Sequence, residues 1–298
     1  MKIFKEFPTK LPEFKYLNDI ESPKDLKLLE EDQLVELADE LREFLLHSVS
    51  KTGGHFGAGL GTIELTIAMH YVLDMPFDKI VWDTGHQAYP HKILTGRREK
   101  MHLMRKKDGI HAFPSITESE YDAMSVGHSS TSISASLGMN EANVHLSTKR
   151  NIFSVIGDGA MTAGIAFEGM MHAAHLDNNL NIILNDNDMS ISKNTGGLSD
   201  YLAKVWASKS YKKLKSSGKK VLKNLPGGLH ISRNLKDGLK HAVMPGNLFE
   251  DLGLHYIGPI DGHDIPLLIK TLRRMVEKKE TYLLHIITKK GAGFEPAE

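Results

Sequence analysis

Cysteine is missing from all 298 residues. That excludes a disulfide scaffold, thiolate metal sites and thiol redox chemistry, and it fits a reducing compartment, so a cytoplasmic location is expected. Long apolar runs are missing as well. No stretch of 18 apolar residues occurs, and Met1 to Asp19 is studded with Lys, Glu and Pro instead of carrying an apolar leader core. Neither a membrane span nor a signal peptide is expected. There is no excess charge of either sign, because Lys+Arg and Asp+Glu both number 37. Net charge therefore points to no nucleic-acid or membrane partner. The chain has no Gly-x-x-x-x-Gly-Lys-Ser/Thr loop and no His-Glu-x-x-His helix, which excludes a P-loop nucleotidase and a zinc-helix enzyme. No internal repeat and no strong low-complexity segment is present.

What is there is ordinary globular material, 41% hydrophobic and 25% charged. After an irregular lead-in with a helix start at Ser22-Pro23, Leu34, Leu37, Leu41, Phe44 and Leu45 recur at helical spacing, which predicts an amphipathic helix over 31–49. Residues 52–61 hold five glycines in ten positions and are expected to form a loop, followed by a helix over about 62–73. Ile80-Val81-Trp82 reads as a short strand ending at Asp83-Thr84-Gly85-His86, and 90–106 as a basic helix. Ser125 to His128 repeats the strand-to-turn pattern before a helix over Ser129 to Glu141. Strands at 152–156 and 180–184 flank a helix over about 163–175, Met161, Met170 and Met171 in and just before that helix are expected to pack in the core, and a late strand covers Tyr282 to Thr288. Strands alternating with helices predict an α/β fold with a mainly parallel sheet and helices on both faces, forming one domain over 1–298. The stretch 201–236 carries ten Lys/Arg and no Asp or Glu. It is expected to be a solvated, mobile insertion, reaching to about 245, rather than an anion or nucleic-acid patch.

In parallel sheets ligands sit beyond the carboxyl ends of the strands. Turns 83–86, 127–129 and 157–160 are all expected at such ends. Gly157-Asp158-Gly159-Ala160 closes one strand and Asn185-Asp186-Asn187 the next, with one crossover helix between them. The Asp158 carboxylate and the Asn187 carboxamide can thus converge on one ion, with Asn185 as a rival ligand. Magnesium prefers such oxygen donors and shares its shell with substrate phosphates. Gly157 and Gly159 let the backbone approach a diphosphate, and adjoining amides can donate to it. Among 16 histidines, His55, His86 and His128 stand out because each lies on a glycine-rich turn where a neutral imidazole can donate to phosphate or move a proton. The run Gly127-His128-Ser129-Ser130 lacks the Gly-x-Ser-x-Gly elbow and opens a helix, which favours hydroxyl and amide donors to a ligand over a serine nucleophile.

These residues are similar to the 1-deoxy-D-xylulose-5-phosphate synthase family of thiamine-diphosphate enzymes, related to transketolase. The likeness lies in Ser48 to Leu60, Trp82 to Arg97, Gly127 to Ser134, Gly157 to Ser192 and Gly258 to Asp264, and extends more loosely over the rest. The resemblance implies a thiamine-diphosphate-binding fold of the diphosphate type. It implies a magnesium- and thiamine-diphosphate-dependent transferase that joins pyruvate to glyceraldehyde 3-phosphate with loss of carbon dioxide, feeding isoprenoid, thiamine and pyridoxal synthesis. Carried onto this chain, Asp158, Asn187 and the backbone carbonyl of Met189 would hold magnesium. Gly159 and Ala160 would line the diphosphate. His86, the Gly127-His128-Ser129 turn and Phe294 would contact the cofactor, and His55 would serve proton transfers near the reacting carbon. The family has a tyrosine where Phe294 stands, a basic residue where Ala292 stands and commonly another within Ser115-Ile116-Thr117. Family members are about twice as long, so the pyrimidine-binding and C-terminal domains are expected from a complementary chain or further sequence, and a homodimer is expected. Two rival expectations are a non-catalytic cofactor-binding or decoy module and the small subunit of a split transketolase.

Overall fold

The structure, a computed structural model, describes residues 1–176, 178–187, 197, 201, 247–278 and 280–298. Apart from Tyr201, the basic segment expected as an insertion lies outside the described residues, as does Met189. The main elements in chain order are α1 (Gln33–Thr52), α2 (Ile63–Val72), β1 (Lys79–Trp82), α3 (Ser132–His145), β2 (Ile152–Gly157), α4 (Gly164–Leu176), β3 (Asn181–Asp186), β4 (His255–Asp261), α5 (Ile265–Lys278) and β5 (Tyr282–Ile287). The strands form one parallel sheet in the order β1-β2-β3-β5-β4. Its central strands read Ile-Phe-Ser-Val-Ile and Ile-Ile-Leu, near-continuous apolar runs, because helices cover both faces.

Strand alternation divides the core into two clusters. Phe153, Val155, Ile183, Leu284 and Ile286 pack with α1, α2 and α5, whereas Ile152, Ile156, Ile182, Leu184 and Leu283 pack with α3 and α4. Met161 and Met170 join the second cluster, but Met171 is exposed on α4 beside Ile165 and Phe167. Among the described residues no helix is long and apolar enough to cross a membrane.

Besides the exposed Met171, three expectations are corrected. The glycine-rich stretch is not all loop, because Phe56–Gly61 winds into a short helix. Its glycines serve close approach: a Cβ at Gly59 would meet Leu45 at 3.3 Å and one at Gly61 the Lys289 carbonyl at 3.1 Å. Ser125 to His128 is irregular, without strand pairing. Residues 90–106 change winding repeatedly and break at Thr95 and Gly96.

α2 is apolar nearly all round and almost wholly buried, so its polar side chains need buried partners. His70 Nε2 lies 2.9 Å from His91 Nδ1, and His91 Nε2 lies 3.0 Å from Asp122 Oδ1. The Asp122 acceptor places a proton on His91 Nε2, so His91 Nδ1 accepts from His70. Arg97 reaches both oxygens of Asp122, at 2.6 and 3.0 Å, and Ser115 N–H donates to Oδ2 at 2.8 Å. Glu118 accepts from Arg97 and Lys92 and from the His111 amide. This network fastens the irregular segment 111–126 to the body.

Burial holds His70 and His91 below the ordinary imidazole value; neighbouring positive charge adds to this, and for His91 the hydrogen bond to Asp122 opposes it without reversing it. The unfolded chain therefore binds protons that the folded chain refuses. Stability from these two groups is fully present above about pH 6.5 and is lost as pH falls below it, by at most about 1.4 kcal/mol per pH unit for each histidine. Urea unfolding at pH 7.5 and 5.5 is expected to show a lower stability at the acid value. Equal stabilities at the two pH values would refute this.

Candidate functional site

Because every strand runs the same way, the carboxyl ends share one edge of the sheet. Asp158 follows β2 directly and Asn187 follows β3 directly. β2 and β3 are paired neighbours, with Gly157 in register with Asn185. The two expected metal residues thus stand at adjacent strand ends, Asp158 buried and Asn187 partly exposed. Gly159 and Ala160 lie in the helical turn Asp158–Met161 that follows β2. The rival Asn185 is committed elsewhere. Its carboxamide oxygen accepts from Thr288 at 2.6 Å and its nitrogen donates to Gln87 at 3.0 Å, inside the core.

The turn at Gly127, His128 and Ser129 is exposed and reaches this edge without a strand of its own. Asp83, buried at the end of β1, accepts the amides of Ser130 at 2.8 Å and Ser132 at 3.2 Å. That grip holds Ser130 at φ 72°, a conformation costly for a side chain and tolerated where the surroundings enforce it. It also commits two amides at the start of α3 to Asp83. Gly85 needs its glycine: at φ +86° a Cβ would meet Pro114 at 2.6 Å, Val126 at 2.7 Å and Phe113 at 2.9 Å. The 113–126 segment therefore lies directly over the turn that carries His86.

The structure brings His55 and His86 together, with ring centroids 6.1 Å apart, and Phe113 flanks His55 at 6.3 Å. The His55 amide donates to the Tyr89 hydroxyl at 3.1 Å. Burial lowers the pKa of His86, and the charges of His55 and Lys290 push the same way against Asp83. His86 is therefore neutral near pH 7. Phe294 is buried, its ring 4.7 Å from Phe7 and 5.9 Å from Phe56. Sequence reasoning named Asp83 only as part of the turn 83–86 and did not single out Gln87, Tyr89 or Lys290. Of these, Asp83, Gln87 and Tyr89 fall inside the Trp82–Arg97 segment, whose density of polar residues was the available signal; nothing local marked Lys290.

The residues present fit a metal-bound diphosphate. A Cβ built at Gly127 or at Gly157 meets no atom within 4 Å, so both positions face open space, Gly157 at the end of β2 and Gly127 in the irregular turn. Among the described residues no three His, Asp or Glu side chains gather around a common point. The expected set has a single carboxylate completed by amide, carbonyl and phosphate oxygens, a hard-donor shell suited to magnesium.

The family described as 1-deoxy-D-xylulose-5-phosphate synthase matches residues 17–288. A 1-deoxy-D-xylulose-5-phosphate synthase of Pseudomonas fluorescens (strain Pf0-1) is 58% identical over 295 residues, covering 99% of this chain and 47% of that protein. The synthase of Stutzerimonas stutzeri (strain A1501) is 56% identical over 297 residues, 100% of this chain and 47% of the relative. The chain therefore spans about half the length of the curated relatives it matches. Among solved structures, a transketolase from Leishmania mexicana superimposes with a TM-score of 0.62 at 15% identity, over 87% of this chain and 37% of that one. A transketolase from Campylobacter jejuni gives 0.59 at 19% identity, over 87% and 38%.

Proposed function

This chain belongs to the 1-deoxy-D-xylulose-5-phosphate synthase family, and we propose that it carries the diphosphate- and magnesium-binding half of a thiamine diphosphate site. The reaction is the condensation of pyruvate with glyceraldehyde 3-phosphate to 1-deoxy-D-xylulose 5-phosphate and carbon dioxide. The observation that carries the proposal is the placement of Gly157-Asp158-Gly159 and Asn187 at the ends of two paired parallel strands. Asp158, Asn187 and the Met189 carbonyl would hold magnesium. Gly159, Ala160 and the Gly127-His128-Ser129 turn would receive the diphosphate, and Phe294 would back the cofactor. When bound, thiamine diphosphate supplies the nucleophilic carbon that takes up pyruvate and lets carbon dioxide go. The protein's own part is to bind, orient and exclude water. His86, neutral near pH 7 through its burial, can donate to an oxygen or accept a proton, and His55 beside it offers a second such group. The 111–126 segment covers the turn that carries His86 on one side, while His55 stays exposed beside Phe113.

The site is complete only with the pyrimidine-binding part, supplied by the sequence that the relatives' other half carries or by a second chain. The exposed Ile165, Phe167 and Met171 of α4 support a covering partner or a homodimer. Identity of 56–58% to the synthases against 15–19% to transketolases ranks the synthase above a split transketolase. A cytoplasmic location goes with this reading.

The test is calorimetric titration of thiamine diphosphate into this chain with and without magnesium, followed by carbon dioxide release from pyruvate after mixing with a relative's complementary half. Binding that requires magnesium, and activity only in the mixture, are expected. Binding indifferent to magnesium, or no binding, would sink the proposal.

A further inference from the structure

The motif Gly258 to Asp264 has no role in the site described so far, yet its histidine contacts the strip after β5 that meets the glycine-rich segment. Gly262 follows β4 at a point where a Cβ would strike Thr288 Cγ2 at 2.5 Å and the Ile287 carbonyl at 2.9 Å. The close packing this permits delivers His263 between α2 and the end of β5. His263 Nδ1 lies 2.9 Å from Glu64 Oε2, and its Nε2 lies 2.9 Å from the Lys289 amide nitrogen. The Lys289 N–H can only donate, so Nε2 carries no proton and Nδ1–H donates to Glu64. Glu64 is 3% exposed, and its other oxygen accepts from the fully buried Arg42. Arg42 Nε donates to the Ala292 carbonyl at 2.9 Å. Burial opposes ionisation of Glu64, but the hydrogen bond from His263 and the Arg42 charge outweigh it and hold its carboxyl below the usual value.

One carboxylate therefore steers two side chains, and each holds a backbone group of the same short strip. That strip also meets the glycine-rich turn: the Gly291 amide donates to the Gly57 carbonyl at 2.8 Å, and Lys290 Cγ passes 3.6 Å from where a Gly57 Cβ would stand. The strip carries Lys290, whose charge acts on His86, and Phe294, which packs on Phe56. We propose that Glu64, Arg42 and His263 are positioning residues for the cofactor site, holding residues 289–294 by their backbone against the turn that carries His55. The proposal rests on the thiamine diphosphate reading above and adds to it three residues with no direct role in cofactor or metal binding.

Two substitutions separate the two ends of His263. His263→Asn keeps a donor where Nδ1 stands but removes the acceptor for Lys289. His263→Gln keeps an acceptor where Nε2 stands. In the whole chain at saturating magnesium, His263→Asn is expected to weaken thiamine diphosphate binding about five- to tenfold, the equivalent of one lost buried hydrogen bond. It is expected to speed hydrogen exchange at the Lys289 amide by a similar factor, with α1 and the sheet protected as before. His263→Gln gives up the bond to Glu64 but keeps the Lys289 contact, so it is expected to lose clearly less than His263→Asn in both readouts. A lower thermal midpoint for His263→Asn with unchanged affinity would overturn the proposal, since that is what a merely structural role predicts. Equal losses in both variants would also overturn it. Absence of binding by wild type would instead overturn the cofactor reading itself.

Discussion

Asp158→Ala is expected to abolish magnesium-dependent binding of thiamine diphosphate while the protein still folds. The proposed ion has one charged protein ligand, and the remaining oxygens from Asn187 and the Met189 carbonyl are neutral. Removing the only protein charge from a divalent cation's shell costs more than altering an outer partner, which alone weakens metal sites about 10- to 100-fold. A loss of at least about a hundredfold, roughly 2.7 kcal/mol, is therefore expected in calorimetric titration at fixed magnesium. Asp158→Asn keeps an oxygen in place and removes the charge, so it should fall between Ala and wild type. Asn185→Ala makes the opposite prediction. It strands Thr288 and Gln87 in the core, so it should cost about 1–3 kcal/mol of stability and leave the magnesium dependence intact. Retention of that dependence in Asp158→Ala, or its loss in Asn185→Ala, would move the ion to the rival carboxamide or away from this edge.

That contrast shows which parts of the site could be read from residue order. Strand ends were legible because Ile-Phe-Ser-Val-Ile and Ile-Ile-Leu are short apolar runs that stop at acidic or amide turns, and one helix between them dictates parallel neighbours. The commitment of the Asn185 carboxamide to the core was not legible. It depends on Thr288 and Gln87 arriving from other segments to consume the Asn185 amide. The turn at 127–129 looked like another strand end because Ser-Val-Gly-His imitates one. Its true anchor, Asp83, lies 47 and 49 positions from the two amides it accepts. β4 went unread because Gly258-Pro259 interrupts it, and proline cannot donate to a ladder. α5 carried a plain helical stripe in Ile265, Leu268, Ile269, Leu272 and Met275 and could have been named. The helix at 56–61 was hidden by its glycines, whose unfavourable helix propensity is offset by the close packing they allow.

The second large effect concerns a group that touches no ligand. Asp122→Ala is expected to destabilise the protein by about 3–5 kcal/mol, because removing one partner of a buried pair leaves the other uncompensated. Asp122 has no exposed side-chain surface and answers Arg97 through both oxygens while accepting from His91 and the Ser115 amide. Burial works against its ionisation, yet His91 and Arg97 hold its carboxyl far below the usual carboxylate range. Its own charge therefore survives at any pH at which the protein is used. Without it, Arg97 keeps only Glu118 and the Thr95 hydroxyl as side-chain partners among the described residues, and His91 loses the acceptor that fixes its tautomer. Asp122→Asn should cost less, since an oxygen remains for Arg97 or the Ser115 amide. At about 2 °C per kcal/mol for a chain of this size, the thermal midpoint of Asp122→Ala should fall roughly 6–10 °C. The consequence should also reach the site. Residues 111–126 hang from this network and press on Gly85, so hydrogen exchange in that segment should rise beyond what the global change explains. A drop of under about 1 kcal/mol, the scale of an ordinary exposed pair, would show that the network is not the clamp that its burial and geometry describe.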